Sequence, residues 1–273
     1  MSATLIDMKE HILSWLSTEC PWRDTLYWYD TIDSTNTKAK ELAKDGAPHG
    51  TVLIAGHQTG GRGRLGRSFS SPAGMGVYLS VILRPNCPPE DLMHLTCATA
   101  VAMCEAVEKA SGIRPGIKWT NDLVFRKKKL GGILTELSVN QITGLVDYAI
   151  IGIGINCCQT IGDFPPEIQD MAASLSMVSG KLVTPTSLAA AMIEALVDMD
   201  RILLAEKENI MDLYRKDCIT LGQEILVVRG GEFSYGTAVD LDADGGLVVR
   251  FADGCVRTVT SGEVSIRGMY GYI

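Results

Sequence analysis

The chain mixes short β-branched runs with longer segments of helical periodicity. Leu5, Met8, Ile12, Leu13, Trp15 and Leu16 recur at helical spacing and predict an amphipathic helix over 3–18. LYWYDTI (26–32) reads as a strand. Ser34 or Thr35 then caps a helix that runs through Lys44 and ends before Gly46. TVLIAGH (51–57) and MGVYLSVILRP (75–85) are apolar strands, the second stopped by Pro85. Residues 90–111 lack Gly and Pro and carry Leu92, Leu95, Cys97, Val101, Met103 and Val107, so they predict the best helix, ended by Gly112. GIKWTNDLVF (116–125) and GGILTEL (131–137) predict paired strands around a basic turn, RKKK (126–129). DYAIIGIGINC (147–157) predicts another buried strand, and 186–205 and 207–219 predict helices.

After Leu221-Gly222 the texture changes. QEILVVRGGEFSYGTAVDLDADGGLVVRFADGCVRTV alternates apolar and polar residues between Gly-rich turns, which indicates a small β-barrel. The expected organisation is a larger mixed α/β domain, 1–220, followed by a small barrel, 221–273.

A chain of 273 residues, 46% hydrophobic, is long enough for one large core and a small one. A formal net charge of -7 argues against a general nucleic-acid binder, without excluding a local cationic site. The eight cysteines form no C-x-x-C pair and lie in mostly apolar contexts, as expected of reduced thiols in a cytoplasmic protein. The first residues carry charges throughout and lack a signal-peptide apolar region. No run is long enough to span a membrane.

Against that acidic background stands GRGRLGR (61–67). GRGRLG matches G-x-G-x-x-G, but RSFSSPAGMG and another strand follow it, so no dinucleotide-binding helix can start there. No G-K-[ST] closes it as a P-loop. A solvated hairpin tip explains the glycines but not three arginines in seven residues. Arginine offers a planar fork for phosphate and carboxylate, and glycine lets backbone N–H groups approach an anion. The segment is therefore expected to be an anion clamp, pliant until its ligand orders it.

DSTN (33–36), QTGGRGRLGR (58–67), VYLSVIL (77–83), KWTNDL (118–123), KLGGILTE (129–136), GIGIN (152–156) and GEVSIR (262–267), in this order, resemble the biotin–protein ligases. The resemblance runs from about Tyr27 to Arg267. It implies a class II synthetase-like catalytic domain, with a mixed sheet flanked by helices, and a C-terminal SH3-like barrel. It implies that biotin and MgATP give biotinyl-5′-adenylate and pyrophosphate, and that biotin then passes to a lysine of a biotin carboxyl carrier domain. It implies that Lys129, Arg64 and Arg62 are catalytic. The biotin side would be Ser34, Thr35, Asn36, Gln58, Arg62, Gly63, Arg64, Trp119, Lys129, Gly131 and Gly132. The ATP side would be Arg64, Arg67, Phe69, Asn121, Lys129, Asn156 and Arg267, with Asp122 as a Mg²⁺ ligand. Glu263 matches a family position beside Arg267.

Thr120 stands where the family usually has proline, and the strand is expected to continue through it. Phe69 stands where many members have tryptophan. Only about 33 residues precede DSTN, too few for the DNA-binding domain of some members, so no operator binding is expected. A homodimer stays open. Alternatives are a lipoate–protein ligase or octanoyltransferase of the same fold, a non-enzymatic RNA-binding module with strong salt dependence, or a ligand sensor without turnover.

Overall fold

The computed structural model describes residues 8–260 and the backbone of residues 264–268. Helix α1 spans Met8–Trp15; residues 3–7 of the expected helix lie outside the described residues. β1 (Leu26–Ile32) runs parallel to β2 (Thr51–Gln58), with α2 (Thr35–Lys44) as the crossover between them. Ser34 caps α2, its hydroxyl accepting from Thr37 N–H. β3 (Gly76–Leu83) follows, then α3 (Leu95–Ser111), ended by Gly112 at φ 74°. α3 is shorter than expected because a separate 3₁₀ turn, Pro89–Leu92, precedes it.

The expected strand over 116–125 divides into β4 (Gly116–Lys118) and β5 (Asp122–Phe125), which pair as a hairpin. Thr120 thus sits in a turn, not in a continuing strand, and the Trp119–Thr120 peptide is cis. The basic turn is also narrower than expected. Arg126 and Lys127, both at positive φ, form its tip, and Lys128 and Lys129 already belong to β6 (Lys128–Val139). β7 (Val146–Asn156), α4 (Leu175–Ser179), α5 (Pro185–Ile202) and α6 (Lys207–Asp217) complete the larger unit.

The seven-stranded mixed sheet has the order β1-β2-β3-β7-β6-β5-β4. Side chains alternate between its faces. Val52, Ile54, Val81, Ile151 and Ile153 enter the main core with α3 and α5. Leu53, Ile82 and Ile150 pack with Ala39 and Ala43 of α2 on the other face. On that second face, β7 continues past Ile150 with Gly152 and Gly154. The α2 side of the sheet therefore loses its side-chain layer toward one end, and a cavity opens there.

β8 (Glu224–Arg229), β9 (Glu232–Leu241), β10 (Leu247–Phe251), β11 (Val256–Val259) and β12 (Val264–Gly268) form an antiparallel sheet in the order β11-β10-β9-β8-β12. Its Ile225, Val227, Ala238, Leu247 and Val249 join the main core, so the two sheets share one apolar interior. None of the described helices is long and apolar enough to cross a membrane. All eight cysteines are unpaired thiols, five of them buried.

Candidate active site

The floor of the cavity is made of glycine. A Cβ on Gly152 would stand 1.9 Å from Asn36 Oδ1, and one on Gly154 would stand 2.5 Å from the Phe69 ring. Both glycines are there because other side chains occupy that space. Across the ladder, Gly132 pairs with Gly154 and Leu134 with Gly152.

One wall is neutral. Thr35 donates its backbone N–H and its hydroxyl to Gln58 Oε1, at 2.8 and 3.1 Å. Gln58 Nε2 donates to Ser71 Oγ at 3.0 Å. The buried Ser80 hydroxyl lies 2.8 Å from Thr35 Oγ1 and 2.6 Å from Asn36 Oδ1. Asn36 Nδ2 donates to Leu134 O and to Glu136 Oε2, at 3.3 and 3.0 Å. Glu136 also pairs with Lys40 at 2.5 Å. Burial works against ionisation of Glu136, but the bonds from Lys40 and Asn36 outweigh it and hold its pKa below the ordinary carboxylate value. Ser34, Thr35 and Asn36 are each under 5% exposed, so this part of the network is shielded from bulk solvent.

The arginine segment covers the cavity. Gly63 N–H donates to Arg67 O at 2.7 Å, and Phe69 N–H to Gly61 O at 2.9 Å, folding residues 61–69 back on themselves. Leu65 and Gly66 turn the tip at φ 54° and 73°. Arg62 and Arg67 are exposed, whereas Arg64 is half-buried and donates to Asn121 Oδ1 at 2.9 Å. Burial lowers the Arg64 pKa, Asp122 opposing this and Arg67 adding to it. The Phe69 ring lies against Gly154 and meets the Tyr78 ring edge-on at 6.4 Å.

The opposite wall is charged. Lys129 Nζ donates to Asp122 Oδ1 at 2.6 Å. Asn121 behaves like one more strand residue: Ile133 N–H donates to its carbonyl at 3.0 Å, and its Nδ2 donates to Ile133 O at 2.8 Å.

Ser34, Thr35, Asn36, Gln58, Arg62, Gly63, Arg64, Arg67, Phe69, Trp119, Asn121, Asp122, Lys129 and Gly132 all line a single cavity of about 170 Å³. Gly131 does not; it lets β6 approach β7, since a Cβ there would stand 2.5 Å from Gly154 O. Asn156 does not either. Its Nδ2 donates to Ala173 O at 3.2 Å, and Ala173 N–H donates to Lys129 O at 2.9 Å, so Asn156 steadies the backbone that carries Lys129. Glu263 and the Arg267 side chain lie outside the described residues. Lys118, Leu65, Gly152 and Gly154 also line the cavity without having been assigned from sequence. The alternating glycines of GIGIN, on one face of an otherwise apolar strand, were the signal for the floor.

Among the described residues, five cations line this cavity (Arg62, Arg64, Arg67, Lys118 and Lys129) against one carboxylate, Asp122. Among the described residues no group of three His, Cys, Asp or Glu could hold a metal ion. That donor set suits a Mg²⁺ ion that arrives on phosphates and takes at most one protein carboxylate.

A helix-flanked mixed sheet, with neutral hydrogen-bonding groups at one end of its cavity and a surplus of cations at the other, defines a site suited to a ligand with a neutral polar end and an anionic end. Residues 28–156 match the model of the biotin/lipoate A/B protein ligase family, and residues 220–267 match the biotin protein ligase C terminal domain. The bifunctional ligase/repressor BirA of Bacillus subtilis is 34% identical over 252 residues, 88% of this chain and 74% of that one. The biotin–[acetyl-CoA-carboxylase] ligase of Mycobacterium tuberculosis is 31% identical over 85% of each chain. The structure of the biotin protein ligase from Aquifex aeolicus in complex with biotin and ATP superposes with a TM-score of 0.75 and 32% identity, over 89% of this chain and 98% of that one. The chain belongs to the biotin protein ligase family.

Proposed function

We infer that this chain is an ATP-dependent biotin–protein ligase. It activates biotin as biotinyl-5′-adenylate and passes the biotinyl group to a lysine of a biotin carboxyl carrier domain. The observation that carries the reading is the joining, in one cavity, of the hydrogen-bonded Thr35 and Gln58 to the Arg64, Lys129 and Asp122 group. The relatives' names and the biotin and ATP in the Aquifex complex support it.

The ureido ring of biotin is neutral, with two N–H donors and one carbonyl acceptor. Ser34, Thr35 and Gln58 supply hydroxyls and an amide for such a group, in a setting dry enough to make each bond count. The other end of biotin is a carboxylate, which must attack the α-phosphorus of ATP. A carboxylate oxygen forms the new P–O bond, the bond to the β-phosphate breaks, and pyrophosphate leaves. Both reactants are anions, so bringing them together and neutralising them is the main task of the protein. Lys129 offers a compact charge on a long stem, and Asp122 holds that ammonium in place at 2.6 Å. Arg62, Arg64 and Arg67 are assigned to the phosphates, and Phe69 and Asn121 to the nucleoside side. A Mg²⁺ ion would arrive with the triphosphate and neutralise its charge, with Asp122 the carboxylate within reach. In the second half-reaction the carrier lysine, as the free amine, attacks the acyl carbon and AMP leaves. No protein nucleophile is needed. Folded over the cavity, residues 61–69 keep water from the mixed anhydride until the carrier arrives. The unpaired thiols support a reducing, cytoplasmic setting.

The test is incubation with ATP, Mg²⁺, biotin and a carrier domain, read by mass spectrometry. One biotinyl group on one carrier lysine is the expected product. Transfer of lipoate or octanoate in preference to biotin would move the chain to another branch of the fold, and no transfer at all would refute the reading.

A further inference from the structure

The residues between β4 and β5 carry the charged wall, yet they are held from outside the cavity. Ladder pairing stops at Lys118↔Asp122, so the Trp119–Asn121 turn must find other partners for its backbone. Sequence-distant elements supply them. Trp119 N–H donates to Thr220 Oγ1 at 2.9 Å. Trp119 Nε1–H donates to Gly245 O at 2.8 Å. The Tyr214 hydroxyl donates to Thr120 O at 2.9 Å. Ile219 N–H reaches Ile117 O at 3.0 Å and extends the brace along β4.

These contacts are dry. Tyr214, Thr220 and Trp119 are 0%, 2% and 5% exposed. Gly245, in the β9–β10 loop, sits at φ +85°, and a Cβ there would stand 2.5 Å from Cys97 Sγ. The loop therefore comes as close as glycine permits. The turn engages its braces through main chain and indole. The buried Thr120 hydroxyl has no partner among the described residues, so that side chain does not set the position of the turn.

What the turn holds in place is chemistry. Asn121 bonds Arg64 at 2.9 Å, and the next residue, Asp122, bonds Lys129 at 2.6 Å. Tyr214, Thr220 and Gly245 do not line the cavity themselves. We propose that Tyr214, Thr220 and Gly245 are positioning residues for the ATP side of the site. They fix the Trp119–Asn121 turn and, through Asn121 and Asp122, set where Arg64 and Lys129 meet the nucleotide. The inference rests on the ligase reading. It makes the small C-terminal sheet, through Gly245, a structural part of the charged wall.

Tyr214→Phe and Thr220→Val each delete one buried hydroxyl with little change of shape. In the full chain, three quantities are read: biotin-dependent ATP–pyrophosphate exchange, biotin binding by calorimetry, and the thermal midpoint. Each variant is expected to raise the KM for ATP roughly fivefold to tenfold, because small misplacements at a reacting centre are costly. The biotin Kd should change by a smaller factor than the KM for ATP, because the Thr35–Gln58 network touches none of the braces and only the Trp119, Arg64 and Lys129 end of the biotin side rests on the turn. A general loss of fold would lower the active fraction and weaken both substrates together. If Tyr214→Phe does not fold, Thr220→Val decides. An unchanged KM for ATP in a folded variant, or equal changes for both substrates, overturns the positioning role alone. A wild-type chain that shows no biotin-dependent exchange overturns the ligase reading, and this inference with it.

Discussion

At one end of the cavity Thr35, Asn36 and Gln58, with Ser80 behind them, are neutral and tied together at 3.1 Å or less, and beside them Ser34 Oγ accepts from Thr37 N–H. At the other, Arg62, Arg64, Arg67, Lys118 and Lys129 face one carboxylate among the described residues, Asp122. The neutral end is held in place by its own hydrogen bonds before any ligand enters. The charged end carries a surplus that a polyanion neutralises. The contrast separates two jobs. On the proposed assignment, shape and hydrogen-bond pattern would select the substrate at one end, and electrostatic neutralisation would drive the reaction at the other.

Each end can be broken on its own. The largest effect is expected from Lys129→Ala, which should slow biotin-dependent pyrophosphate exchange by about 10²–10³-fold, the scale of losing one aimed charge in a dry site. A near-normal exchange rate would remove Lys129 from the chemistry. Thr35→Val attacks the neutral end. It removes the hydroxyl that bonds Gln58 and Ser80, while Thr35 N–H keeps Gln58 Oε1 and Asn36 Oδ1 keeps Ser80, and should weaken biotin binding by about 0.5–1.5 kcal/mol in calorimetry while the KM for ATP holds. Arg64→Gly should release the adenylate about tenfold faster, equivalent to ~1.4 kcal/mol, and labelling of bystander lysines should rise accordingly. A variant that stays strictly carrier-specific would count against the clamp at that residue.

Two weaker perturbations sharpen the contrast. Raising the salt concentration from about 0.1 to about 1 M shortens the screening length from ~10 to ~3 Å, so the KM for ATP should climb while biotin affinity stays nearly level. The smallest effect concerns acid. The Glu136 carboxylate has a lowered pKa in the folded chain, so its bonds to Lys40 and Asn36 stabilise above the ordinary carboxylate range and are lost as pH falls through the lowered value. Thermal melts taken down through that window should show a slightly smaller loss in Glu136→Gln than in wild type.

Much of this could be read from the residues. The β-branched runs gave β1, β2, β3 and β7, and Ser34 marked the start of α2, because local pattern and tertiary burial agree there. The breaks went unread where tertiary contacts decide. Nothing local separates 116–118 from 122–125; the division comes from Thr220, Gly245 and Tyr214, between 94 and 126 residues further along the chain. Lys128 looks like a solvated tip, yet it donates to the carbonyl of Asp170 at 2.5 Å, on a loop with no periodic signature. Most of the named site residues converge because the glycines and short polar motifs sit at strand ends, where the sheet alternation is fixed. Asn156, expected on the nucleotide side, shows what strand position alone leaves undecided. It ends the right strand, but its side chain faces Ala173.

The central claim is that the cationic segment closes over two anions joined into one product. A crystal structure with a non-hydrolysable biotinyl-5′-adenylate analogue tests it most directly. The account predicts the phosphate within hydrogen-bonding distance of Arg64 and Lys129, and the ureido ring against Thr35 and Gln58. An analogue bound with residues 61–67 turned away from its phosphate would contradict it.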